Sequence, residues 1–206
     1  MLFDLEKIAT PVVYKILTAC VFPRPIAWVS TRDRQGGFNA APFSFFNAMG
    51  SNPPTVVLGL MPDPAKGFKD TANNIIETNE FVVNLVSEDV AEKMNMTAIN
   101  APTGVDEFEL AGLTPVDSTQ IKAPRIAESP VSFECSVISS VVTGPRQTIV
   151  IGRVHVIHVA DDYVIDADKG YLRTEDIGLI GRTYASGYVR TTDRFDMERP
   201  VWKGSD

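Results

Sequence analysis

Residues 24–47 read RPIAWVSTRDRQGGFNAAPFSFFN, a run in which small hydroxyls, asparagines and prolines stand beside paired aromatics. Such groups hold a polar, ring-bearing molecule through amides, hydroxyls and a flat apolar wall, and they supply no strong nucleophile or base. Trp28, Val29, Ser30 and Thr31, and again Ser44, Phe45, Phe46 and Asn47, would offer backbone amides and polar side chains, with Asn39 and Pro42 shaping the wall beside them. On composition alone, Trp28, Phe43, Phe45 and Phe46 read more simply as core aromatics. A second feature is Lys69-Asp70-Thr71 at the head of a helical pattern. The free amides and positive dipole end of a helix start, joined by a Lys ammonium and a Thr hydroxyl, suit a phosphate. The plainer alternative is an ordinary N-cap at Asp70, whose carboxylate would turn into its own helix and away from any anion.

Other chemistries lack their parts. Cys20 and Cys135 are far apart, match no metal or redox spacing, and read as small core hydrophobes. His155 and His158 lie in a strand-like run at a spacing that puts them on opposite faces, which excludes a shared pair of metal ligands. No Ser-His-Asp arrangement and no carboxylate pair of defined spacing emerges. No G-x-G-x-x-G follows the first strand, which disfavours a Rossmann unit.

The elements that must position these residues are mostly strands. Residues 25–31 (PIAWVST) and 38–46 form a hairpin around Arg34-Gln35-Gly36-Gly37, and residues 55–61 (TVVLGLM) form a third strand after Pro53-Pro54. Three strands are thus expected before any helix. Residues 69–79 place Ala72, Ile75, Ile76 and Asn79 at helical spacing; residues 81–86 (FVVNLV) return to a strand. Residues 88–99 set Val90, Met94 and Ala98 on one helical face, and residues 100–130 are rich in Pro, Gly and Asp, which predicts an irregular surface excursion. Residues 131–142 and 148–159 make a second long hairpin across Gly144-Pro145. Strands that do not alternate regularly with helices predict a mainly β fold with short helices, a closed or split antiparallel barrel.

The chain has 206 residues, 44% of them hydrophobic, enough for one sizeable core. With no repeat or long polar linker, a single domain over residues 1–206 is expected, with residues 190–206 as a C-terminal tail. Phe195, Met197 and Trp202 in that tail call for a dock on the domain or on a second subunit. A net charge of −7 argues against nucleic acid and against anionic membrane surfaces. The opening MLFDLEKIAT carries acids where a signal peptide has bases, and no apolar run reaches bilayer length, so a cytoplasmic protein is expected.

Residues 24–47, with PPTVVLGL, KDTANNI, EFVVNLV, GVDEFELAGLTP and ESPVSFEC further on, resemble the flavin reductase-like, FMN-binding split-barrel family, which includes flavoredoxin. The resemblance implies an FMN-binding split β-barrel, a homodimer with the flavin near the subunit interface, and hydride delivery from NAD(P)H to flavin N5. Flavin would then be bound by Trp28, Val29, Ser30, Thr31, Asn39, Pro42, Ser44, Phe45, Phe46 and Asn47, and its phosphate by Lys69, Asp70 and Thr71. FAD is a possible alternative to FMN. LIGRTYASGYVRTTDRFDMERP resembles the family's closing element, which adds Arg182 and Tyr184 to the site; where relatives often have adjacent glycines, this chain has Thr183 to Gly187. The resemblance leaves two activities open: a reductase serving itself or a partner oxygenase, and a flavoredoxin-like electron carrier for a redox protein.

Overall fold

A computed structural model describes residues 1–61, 69–145 and 147–202, so the last four residues of the expected tail lie outside the described residues. Helix α1 (Thr10–Cys20) comes first, followed by strands β1 (Arg24–Pro25), β2 (Ala27–Arg32), β3 (Phe38–Phe43), β4 (Phe46–Ser51) and β5 (Pro54–Leu60). Next come α2 (Asp70–Thr78), β6 (Glu80–Leu85), α3 (Ala91–Met96), α4 (Glu107–Ala111), β7 (Pro115–Val116) and β8 (Arg125–Ile126). The long strands β9 (Val131–Gly144) and β10 (Gln147–Val159) lead to the short β11 (Val164–Asp166), β12 (Tyr171–Leu172), β13 (Ile180–Arg182) and β14 (Tyr188–Arg190).

Seven strands make one antiparallel sheet in the order β3-β2-β6-β9-β10-β5-β4. Its two edges, β3 and β4, are separated in the chain only by Ser44 and Phe45. The sheet must therefore curl until its edges almost meet, and the chain, not a hydrogen-bonded ladder, closes the seam. This is a split barrel, mainly β with short helices, as the strand pattern predicts. Beside the seam Gly59 of β5 donates its N–H to the Phe45 carbonyl at 2.7 Å, which carries the β4–β5 pairing one residue into the link. A Cβ on Gly59 would stand 2.9 Å from that of Phe45, so only glycine permits the approach.

Inward-facing Ala27, Val29, Val56, Leu58, Phe81 and Val150 fill the barrel, and α2 plugs it with Ala72 and Ile75. A second cluster lies on the outer face of β2 and β3, where Trp28 and Ala40 meet Met94, Phe108 and Ile126. Strand β2 is thus covered on both faces, which explains its nearly unbroken apolar and small-residue run.

Several local expectations give way to tertiary structure. Helix α1 precedes the strands: Pro11 is preorganised for its first turn, and the helix buries little beyond Thr18. The expected second strand breaks at Ser44-Phe45, where the seam forces the chain from one sheet edge to the other. Residues 88–99 split into a 3-10 turn, Glu88–Val90, and α3, and the excursion contains α4, whose first amides are capped by Asp106 Oδ1. Helix α2 is N-capped by the Lys69 position with no side-chain bond, so Asp70 sits in the first turn and is not the cap. It ends at Asn79 with φ 59°, a left-handed geometry asparagine tolerates. Cys135 is a core residue, as expected, and burial pushes its thiol pKa up; Cys20 is exposed, because α1 presents that end to solvent.

The histidines also depart from the simple alternation. A register shift between Val154 and Val156 places an extra residue in β10, and both imidazoles bond to side chains two apart on β9. His155 Nε2 lies 2.6 Å from Ser136 Oγ, and His158 Nε2 lies 2.6 Å from Glu134 Oε1. Among the described residues no cluster of three or more metal-binding side chains occurs.

Glu134 is fully buried and also accepts bonds from the Thr119 and Gln120 amides at 2.6 and 2.8 Å, fixing the surface excursion to the barrel. Burial by itself would raise its pKa, but these donors and His158 outweigh burial and hold the carboxylate below its usual range. Its stabilising contribution is therefore present above the unfolded carboxylate pKa and is lost as pH falls through the lower folded value. Glu134→Gln is expected to cost about 1–3 kcal/mol at neutral pH and to make the protein less sensitive to acid. Urea unfolding at pH 7 and at about pH 4 measures both; an unchanged pH dependence would contradict the role given to Glu134.

Candidate functional site

Three clefts of about 60, 160 and 210 Å³ meet at Pro42, on the β3 side of the seam. Together they reach the lower part of the size range of small-molecule sites, about 300–1,000 Å³. The smallest is walled by Asn39, Pro42, Lys69, Asp70, Thr71 and Glu107. Pro42 and Ser44 carry the trough onward, and it ends between Tyr14, Arg182 and Tyr188.

The α2 end of the trough brings a helix start, one ammonium and two carboxyl groups together. No side chain caps the first turn of α2, and Lys69 stands at that turn on the cleft wall. Uncapped amides at the positive dipole end, beside an ammonium, are groups that favour an anion. Thr71 is committed elsewhere: its hydroxyl donates to Asn39 Oδ1 at 2.6 Å. Asn39 in turn donates to Glu107 Oε2 at 2.7 Å, while Thr31 donates to Asn39 Oδ1 at 3.4 Å and accepts from Asn74 at 2.9 Å. This network fixes β2, β3, α2 and α4 around one end of the cleft.

The other end is positively charged. Arg24 is only 5% exposed. Its guanidinium donates to the carbonyls of Thr18, Val21 and Thr183 at 2.8, 2.6 and 3.0 Å, and to Ser44 Oγ at 3.3 Å. Burial lowers its pKa, opposed by Tyr14 and reinforced by Arg182, yet a guanidinium remains charged at any physiological pH. Arg182, its partner in the β1–β13 register, lies with its guanidinium carbon 4.5 Å from the Tyr188 ring centroid. Among the described residues neither arginine forms an ion pair with a carboxylate. Because Ser44 Oγ accepts from Arg24, its own proton is free to donate into the trough.

The expected site residues are distributed over distinct places. Asn39, Pro42, Ser44, Lys69, Asp70, Thr71 and Arg182 line the trough. Phe45 lines both the trough and an adjoining apolar groove of about 420 Å³ beneath α1; Phe46 and Asn47 line only the groove. Trp28, Val29, Ser30 and Thr31 line none of these clefts. Val29 packs in the barrel, Trp28 Nε1 donates to Thr97 Oγ1, and Ser30 Oγ donates to the Pro124 carbonyl. Tyr184 sits outside the trough, in the turn that Gly187 closes by donating to its carbonyl; Tyr188 occupies the cleft wall beside Arg182. Tyr14, Arg24 and Glu107 were not singled out by the sequence. The Pro11 start and the Val13/Leu17 spacing could have revealed α1 and hence Tyr14, and the buried position of α4 could not be read from its acidic composition.

The structure is thus a split barrel whose seam carries a trough, with Lys69 and the α2 start at one end and Arg24 and Arg182 by the other. The family model for the flavin reductase like domain matches residues 18–175, and the chain belongs to that family. A Deinococcus radiodurans protein without an assigned role is 40% identical over 203 residues, covering 96% of this chain and 88% of its own. The crystal structure of nitrilotriacetate monooxygenase component B from Bacillus cereus is similar with 32% identity and a TM-score of 0.90, covering 96% of this chain and 98% of that one. That of 2-nitrobenzoate 2-nitroreductase from Pseudomonas fluorescens is 32% identical with a TM-score of 0.89, covering 100% and 99%. No helix among the described residues is long and apolar enough to cross a membrane.

Proposed function

We propose that this chain is a cytosolic NAD(P)H-dependent flavin reductase that binds FMN along the barrel seam. The observation that carries the reading is the uncapped first turn of α2, opening with Lys69 onto a cleft continuous with Pro42 and Ser44. The residues present fit FMN: Lys69 and the α2 amides suit the phosphate, the Ser44 hydroxyl suits a carbonyl or ribityl acceptor, and Pro42 and Phe45 offer flat apolar surface. FAD is admitted by the same open trough.

When bound, the flavin supplies a two-electron acceptor for hydride from a nicotinamide. The protein's own groups bind and orient. Arg24 holds the Ser44 hydroxyl in place, and Arg24 with Arg182 puts two permanent cations beside the trough, a field that favours electron-rich ligands. No protein proton donor is required for hydride transfer, which agrees with the lack of a recognisable acid–base pair in the sequence. The test is steady-state NADH and NADPH oxidation with FMN, FAD and riboflavin as acceptors. Turnover with at least one nucleotide is expected, and none with any combination would contradict the reading.

The names of the similar structures support two destinations for the electrons, a partner oxygenase and a direct acceptor. The net charge of −7 supports a further reading, an electron carrier for a basic redox protein, in which the exchange rate falls as salt rises. We also infer a homodimer. Val12, Tyr14, Leu17 and Phe22 on and after α1, Met49 on the β4 edge, and Phe195, Met197 and Trp202 in the tail are all exposed, so the apolar tail finds no cover among the described residues.

A further inference from the structure

Glu107 ties α4 to β3 through Asn39 and the Ala40 amide, yet it is also a buried acid on the wall of the cleft, a place the flavin reading leaves without a role. Only 6% exposed, it lines the same small cleft as Lys69 and the first turn of α2. Its Oε2 accepts from Asn39 Nδ2 at 2.7 Å and from the Ala40 amide at 3.3 Å, its own backbone amide also serves the carboxylate, and among the described residues no cation pairs with it. Asp70 lines the cleft as well. Two carboxyl groups and one ammonium therefore share a cavity of about 60 Å³ that the preceding reading assigns to a phosphate.

We propose that Glu107 is a charge selector for the phosphate cradle: the cleft accepts the phosphate ester when Glu107 is protonated and rejects it when Glu107 and Asp70 are both ionised. This rests on FMN as the ligand. A phosphate brought beside a buried carboxylate that no cation balances meets like-charge repulsion in a poorly solvated space, and a proton on the carboxyl removes the charge and supplies a donor. The resting environment already points that way, because burial raises the Glu107 pKa, bonds from Ala40, its own amide and Asn39 offset part of the rise, and Asp70 adds to it.

The other groups around Glu107 do not supply a second cation. Strand β3 contributes no charged side chain, and from α2 the charged neighbours on the cleft are Lys69 and Asp70. On α3, Glu92 is exposed and Lys93 is engaged with the Gly112 carbonyl and Glu128. On α4 itself, Asp106 caps the helix and Glu109 is exposed. Among the described residues, Lys69 is thus the single cation available to balance two acids and an incoming phosphate.

The test is calorimetry of FMN binding in buffers of different ionisation enthalpy from about pH 5 to 8, with riboflavin as the phosphate-free control. The parent protein is expected to take up more protons than Glu107→Gln on binding FMN, by an amount approaching one. E107Q should bind FMN roughly tenfold more tightly than the parent per pH unit above the Glu107 midpoint, and with similar affinity below it. Riboflavin affinity should not distinguish the two proteins. The Gln side chain keeps an acceptor for Asn39 and Ala40, and Asp70→Asn gives an independent check by moving the midpoint of proton uptake to lower pH. Equal proton uptake by parent and E107Q with FMN bound to both overturns the charge-selector role alone. Failure of both FMN and riboflavin to bind would overturn the flavin reading and this inference together.

Discussion

Replacing Arg24 by methionine is expected to lower the stability of the protein by about 3 kcal/mol or more. The guanidinium ties together three parts of the chain: the C-terminal end of α1 through Thr18 and Val21, the seam through Ser44, and the β13–β14 turn through Thr183. Methionine conserves much of the apolar stem but leaves three carbonyls and a hydroxyl without their donor in a site that excludes most water. Each unsatisfied buried acceptor costs about 1–3 kcal/mol, and the sum is reduced because α1 and the turn can relax toward solvent. A loss of 3 kcal/mol corresponds to a melting temperature lower by about 6–12 °C for a chain of this size. Lysine is expected to rescue little, since one ammonium cannot reproduce the planar fork that serves the α1 carbonyls and Thr183 at once. Thermal melts of R24M and R24K against the parent give the answer; a melting temperature within about 2 °C of the parent would mean that the brace is not holding these elements.

The second large effect concerns ligand affinity and not stability. Lys69→Met should weaken FMN binding by about 10- to 100-fold, the loss of one charge-assisted bond worth about 1.5–3 kcal/mol, while leaving riboflavin affinity within about twofold. The contrast between the two flavins matters more than either number. Riboflavin lacks the phosphate, so a lysine acting on the phosphate affects FMN alone, whereas a lysine needed for the shape of the α2 start would affect both. Fluorescence titration of each flavin against each protein, repeated at higher salt, separates these cases. Equal weakening of both flavins, or of neither, would remove the phosphate from the α2 end of the trough.

These two residues also show where sequence reasoning stops. Lys69 was readable because a helix start, an ammonium and a hydroxyl fall together in three consecutive residues, and local chemistry of that kind survives folding. Even there the detail changed: Asp70 is not the cap, and the Thr71 hydroxyl serves Asn39. Arg24 was not readable, because its importance comes from acceptors up to 159 positions away in the chain. The hairpins around residues 34–37 and 144–147 follow from their turn residues and β-branched flanks, and the barrel follows from them. The seam does not: that β3 and β4 are opposite edges joined by two residues is a property of the closed sheet, invisible to any window of sequence. For the same reason Trp28, Ser30 and Thr31, polar or half-polar residues in a suggestive run, are fastened to Thr97, Pro124, Asn39 and Asn74 and do not line the trough. Glu107 lay within a recognisable acidic segment, yet only the packing of α4 on β3 made it a buried acid.

A seam that binds flavin and passes it electrons from a nicotinamide has two properties that can be measured together. An absorbance spectrum of the protein reconstituted with FMN and desalted, followed by titration with NADH and with NADPH under exclusion of air, tests both halves in one cuvette. Retained flavin bands that bleach on addition of one or both nucleotides are expected. Retained bands that neither nucleotide bleaches would contradict the reductase and leave an electron carrier; a protein that retains no flavin, and does not speed reduction of added FMN, would contradict the flavin site itself.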